Sequence, residues 1–99
     1  MSVGATGLIS VLSNLGGSLL QELMQAYEDG KVQKAKELNS TMLKQGNAMF
    51  IVSNPIPVKE AVTLVTPINA GPLRLPLYKM DDASREKMIS ILKETGLMK

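Results

Sequence analysis

From Met1 to Gln21 the chain carries no charged side chain, and so long an uncharged run must be buried, paired or inserted in lipid. A bilayer span needs about 20 mostly apolar residues. Here Gly4, Gly7, Ser10, Ser13, Asn14, Gly16, Gly17 and Ser18 interrupt the apolar side chains too often, and no basic residue precedes them as a secretory signal requires. The segment is expected to be buried in protein. Two periodicities compete within it. Leu8, Ile9 and Val11 read as a strand covered on both faces, whereas Leu8, Leu12, Leu15, Leu19 and Leu23 recur at helical spacing. Gly16 and Gly17 oppose a single unbroken helix, since each costs about 1 kcal/mol relative to Ala.

Beyond that run the pattern is helical. Ser18 is the expected N-cap of a helix whose apolar face is Leu19, Leu20, Leu23, Met24 and Tyr27, with Gly30 as its stop. A second helix is expected over about Lys31 to Phe50. Val32, Ala35, Leu38, Met42, Met49 and Phe50 turn inward, and Lys34, Lys36, Glu37 and Lys44 outward. The tight connection at Gly30 makes the two an antiparallel hairpin. Asn54, Pro55, Ile56 and Pro57 open a shorter helix, because Pro suits the first turn. Ala61, Val62, Leu64 and Val65 are its buried side, and Pro67 ends it. Gly71, Pro72 and Pro76 make Ile68 to Met80 an extended connector. Asp81 or Asp82 then caps a last helix with Met88, Ile89 and Leu92 inward and Gly96 as its stop. The expected fold is mainly α, a helical bundle.

Chemistry is narrowed by what is missing. The 99 residues include no Cys and no His, which removes disulfides, thiolate nucleophiles, imidazole bases and Cys or His metal ligands. Cofactors and metals are expected to be none. A net charge of +2, evenly spread, gives no nucleic-acid surface, and a chain without cysteine suits a reducing, cytoplasmic setting. With one Phe, no Trp and seven Met, the core must be aliphatic and thioether in character.

The remaining candidates have plain structural readings. Lys59 could form a Schiff base if its amine were neutral, but a solvated first-turn lysine is commoner. Asp81 and Asp82 could pair for acid–base work, but adjacent aspartates before a helix are usually caps. The glycines of Gly4-Ala5-Thr6-Gly7 and Gly16-Gly17 fit neither phosphate-loop pattern.

Three stretches carry a resemblance. Gly4-Ala5-Thr6-Gly7-Leu8-Ile9-Ser10-Val11-Leu12-Ser13-Asn14, then Ser53-Asn54-Pro55-Ile56-Pro57-Val58-Lys59, then Leu73-Arg74-Leu75-Pro76-Leu77 with the closing Gly96-Leu97, together resemble the C-terminal portion of the dihydrodipicolinate synthase/N-acetylneuraminate lyase family. The order of the motifs spans essentially the whole chain. The Asn-Pro-Ile-Pro-Val-Lys run, and Ser10-Val11 where the lyases have a Gly-Ser pair, are similar to the synthase branch.

The resemblance implies a TIM barrel followed by a helical domain, with chemistry at the carboxyl ends of the strands. Thr6 to Val11 would be the eighth strand, and Ser18 to Asp29 the eighth barrel helix. Residues 1–17 are then a former barrel strand and loop, expected to refold where neighbouring strands are absent, and residues 18–99 a helical C-terminal domain. The family forms a Schiff base between pyruvate and a lysine of the sixth strand, and its synthase branch condenses that pyruvate with aspartate semialdehyde in lysine biosynthesis. That lysine, its tyrosine relay and its carboxylate-binding arginine match no position here. Lys59, Tyr27 and Tyr78 fall outside those motifs, so the catalytic set within these residues is expected to be none. Two positions carry over as substrate-binding: Ile9, which lines the family's pyruvate site, and Asn54 near the barrel mouth. Pyruvate is expected as a ligand only of an intact enzyme. The expected partner is a second copy of the chain or the missing barrel portion. The alternative function is a stand-alone helical interaction module that oligomerises or complements a barrel-bearing partner. Without flanking strands the leading segment is expected to turn helical, in register with Leu12, Leu15 and Leu19, and to associate.

Overall fold

The computed structural model describes all 99 residues. Four helices follow one another, α1 Ser13–Glu28, α2 Val32–Ala48, α3 Ile56–Val65 and α4 Asp82–Glu94, and no residue lies in a β-strand. None of the helices is long and apolar enough to cross a membrane.

The leading segment is neither the strand nor the helix that its periodicities suggest. Residues 5–10 have no regular structure and Met1 to Ile9 are exposed. An isolated strand has nothing with which to form its ladder, and helix begins only where local bonds nucleate it. Ser13 Oγ donates to the Ser10 carbonyl at 2.6 Å and Asn14 Nδ2 to the Val11 carbonyl at 2.8 Å. The expected helix through Leu8 is therefore corrected to a start at Ser13. Ser18 is not a cap but an exposed residue inside α1. The glycine argument acts locally: Gly16 has φ −109° and ψ 24°, a break in the helix rather than its end.

The turn Asp29–Lys31, with Gly30 at φ +71°, reverses the chain, and α1 and α2 make the most extensive interhelical contact. Ala35, Leu38 and Met49 are buried as expected. Val32 and Phe50 are not, being 61% and 60% exposed, and Tyr27 is exposed as well. Val32 is the first residue of α2, at the hairpin end, and Phe50 lies past its last turn.

Asn54-Pro55 leads into α3, with Pro55 at the N-cap, and Pro57 and Ala61 are buried. Asp81 rather than Asp82 caps α4, its carboxylate accepting from the Ser84 N–H at 2.9 Å. The core joins Leu12 and Leu20 of the α1 region, Ala48 and Met49, Val58 and Ala61, Met80, and Met88 and Leu92. Met49, Met88 and Leu92 are fully covered, in keeping with a core short of aromatic rings.

Candidate functional site

Ile9 and Asn54 line neither of the two main hollows of the surface. The side chain of Ile9 is as exposed as in an extended peptide, at 105%, and Asn54 is exposed in the turn before α3. The backbone just after Ile9 is nevertheless well fixed. The Ser10, Val11 and Leu12 carbonyls accept from the N–H groups of Ser13, Asn14 and Leu15 at 3.3, 3.3 and 3.0 Å, and Gly16 N also donates to Leu12 O at 2.7 Å. Ile9 thus hangs at the free end of a rigid turn.

A hollow of about 1010 Å³ opens between residues 1–8 and α1. Thr6 and Leu8 form one wall, and Gln21, Glu22, Gln25 and Glu28 the other. Neither Ile9 nor Asn54 lines it. Its lining includes Glu22 and Glu28 and no Lys or Arg side chain. No group of three or more Asp and Glu side chains is placed to hold a metal ion.

Lys59 is less free than a solvated first-turn lysine. Its Nζ donates to the Pro72 carbonyl at 2.7 Å. Thr63 Oγ1 donates to the Lys59 carbonyl and accepts from Ala70 N–H, both at 3.1 Å, and Thr66 Oγ1 accepts from Ile68 N–H at 3.1 Å. Together these bonds strap the connector to α3. A hollow of about 230 Å³ lies beneath the strap. The lysine is thus employed as a fastener.

Two carboxylates are held below their usual range. Asp29 is lowered first by the hydrogen bond from Lys31, then by Gln25 and by the Lys31 charge. Asp81 is lowered by the Ser84 hydroxyl and then by the Ser84 N–H. Both are exposed and lie at helix ends.

Sequence reasoning missed Gln45. This residue of α2 is 3% exposed, its Nε2 donates to the Thr95 carbonyl at 3.2 Å, and its Oε1 has no partner. The signal was legible: Ala35, Leu38, Gln45 and Ala48 occupy one helical face, so a glutamine interrupts an apolar stripe.

Comparison with known proteins gives these positions their setting. Residues 1–95 match the Dihydrodipicolinate synthetase family. The 4-hydroxy-tetrahydrodipicolinate synthase of Moorella thermoacetica is 42% identical over 98 residues, which are 99% of this chain and 33% of that protein. That of Geobacter metallireducens is 46% identical over 98 residues, with the same coverage. Among solved structures, a dihydrodipicolinate synthase of Bacillus anthracis superposes with a TM-score of 0.89 at 32% identity, covering 94% of this chain and 32% of that one. One from Thermotoga maritima superposes at 0.86 and 37% identity, covering 98% and 32%. The chain therefore spans about a third of the length of the curated relatives it matches.

Proposed function

The chain belongs to the dihydrodipicolinate synthetase family, and from that premise we propose that it is the C-terminal third of a 4-hydroxy-tetrahydrodipicolinate synthase, without turnover of its own. The observation that carries this reading is a superposition that covers nearly the whole chain but a third of each synthase, combined with a leading segment that has no strand partner. In a complete barrel, residues 6–11 would be the closing strand, and Ile9 would face the pyruvate site at the strand's carboxyl end. Residues 1–17 then belong to the barrel and residues 18–99 to its helical domain. The condensation needs a lysine amine to attack the ketone of pyruvate, expelling water as the imine forms. Lys59, strapped to Pro72, is not that amine. A cytoplasmic biosynthetic lyase is the class of protein this reading implies.

A second reading rests on the exposure of Val3, Leu8 and Ile9, at 93%, 57% and 105%. Apolar surface of that kind, beside unpaired backbone, favours association. The partner is a second copy or a barrel that lacks its last strand.

One pair of experiments tests both readings. The 99-residue chain, incubated with pyruvate and reduced with borohydride, is expected to gain no mass; a pyruvate adduct would overturn the assignment. Joined to the first two thirds of the Moorella thermoacetica synthase in place of that enzyme's own C-terminal third, the same residues are expected to support turnover. A folded but inactive hybrid would count against the first reading. Recovery of turnover by mixing the two pieces unlinked would favour the second.

A further inference from the structure

Gln45 links the two ends of this chain. Its side chain lies between the turn that follows Ile9 and the C-terminal end of α4, contacting both from the last turn of α2. On one side Nε2 donates to the Thr95 carbonyl at 3.2 Å, where Thr95 is the C-cap of α4. On the other side Oε1 lies against Gly16. A Cβ placed on that glycine would meet Gln45 Oε1 at 3.4 Å and Leu12 Cδ1 at 3.1 Å.

The contact falls where α1 is broken, at the non-helical Gly16. From there a run of hydrogen bonds leads back toward Ile9: Gly16 N–H to Leu12 O at 2.7 Å, Asn14 N–H to Val11 O and Ser13 N–H to Ser10 O, both at 3.3 Å. The side chains of Ser13 and Asn14 reinforce the last two. Beyond Thr95 the tail is folded over by Leu97 and Met98 N–H groups, which donate to Leu92 O at 2.9 and 3.1 Å. Gln45 is the only buried residue of the core with a hydrogen-bonding side chain, and its Oε1 remains unpartnered. A leucine or methionine there would bury apolar atoms without that penalty. What an amide supplies and a thioether does not is a directional bond to the α4 terminus.

We infer that Gln45 is a positioning residue: by bonding the Thr95 carbonyl while seated against Gly16, it makes the angle of the Ile9-bearing turn depend on the docking of the C-terminal tail. The role at the substrate end rests on the synthase reading above. The coupling between tail and turn does not, and can be measured separately.

The test is a cycle of two changes in the 99-residue chain, Gln45→Met and deletion of residues 95–99, read by amide hydrogen exchange at Gly16. Deletion of the tail is expected to speed Gly16 exchange about tenfold in the parent, the scale of a coupled contact. In the Gln45→Met protein exchange starts fast and the deletion adds little, while the thermal midpoint of Gln45→Met is unchanged or raised. Equal effects of the deletion in both backgrounds, or unchanged Gly16 exchange in Gln45→Met, would overturn the inference. Gln45→Glu is a second variant that keeps an acceptor but loses the donor, and it should behave as Gln45→Met does at Gly16. In the barrel hybrid, Gln45→Met is expected to raise the KM for pyruvate more than it lowers kcat, as loss of substrate positioning does. An inactive parent hybrid would count against the synthase reading and leave the exchange cycle to decide the coupling.

Discussion

Arg85 of α4 donates from Nε to Glu60 Oε1 of α3 at 2.7 Å, the one ion pair between these two helices. Both side chains retain about a third or more of their exposure, 41% and 33%, so solvent screens the attraction. Glu60→Gln is expected to cost about 0.5 kcal/mol at low ionic strength and less near 1 M salt. Urea midpoints at the two salt concentrations measure it, and a salt-independent loss would point to packing instead.

Adjacent glycines are expected to respond in opposite directions to the same methyl group. Gly16→Ala places Cβ 3.1 Å from two atoms of Leu12, and overpacking of that kind costs about 1–3 kcal/mol. Gly17 has open space and lies within the regular part of α1, so Gly17→Ala is expected to stabilise by about 0.5–1 kcal/mol. Thermal melts of the two variants should fall on either side of the parent.

Met88 and Ile9 stand at opposite extremes of burial. Met88 is fully buried among helices α1 to α4, and Met88→Ala is expected to cost about 2–5 kcal/mol. Ile9→Ala removes atoms that are already in solvent and should change stability by less than about 0.5 kcal/mol. In the barrel hybrid the same substitution is expected to weaken pyruvate binding. Chemical denaturation and steady-state kinetics separate the two effects, and a strongly destabilised Ile9→Ala would show that the segment is packed.

Asp81 gives α4 a dependence on pH. Its folded-state pKa is depressed by Ser84, so its contribution is fully present above the unfolded value of about 3.9 and is lost as pH falls through the lower folded value. Asp29, depressed by Lys31 and Gln25, acts in the same direction. Asp81→Asn is therefore expected to melt below the parent at neutral pH, with the gap closing in acid. A gap that widened in acid would reverse the assignment.

Much of this architecture was legible in the residues, and the misreadings share a cause. Met88 and Leu92 on α4, an aspartate cap at Asp81 or Asp82 and Gly30 as the hairpin turn all follow from local pattern, because short-range spacing and capping decide them. Val32 and Phe50 have the right period but lie at helix ends, where the neighbouring helix no longer reaches. Ser18 looks like a cap, yet hydrogen bonds at Ser13 and Asn14 begin the helix earlier. The proposal of Ile9 rests on family resemblance alone, and nothing in its exposed surroundings here marks it. Gln45 was visible as a polar break in an apolar stripe, but its meaning needed Gly16 and Thr95, distant in sequence and close in space.

Along the 44 Å length of the molecule, the Gly30 end has a small core of its own. Ala26, Ala35 and Leu38, flanked by Leu19 and Leu23, form a cluster separate from the nine-residue core. Separate clusters open separately. Warming should therefore fray the hairpin tip like the end of a rope while the middle stays wound, and early melting there would leave the far terminus undisturbed.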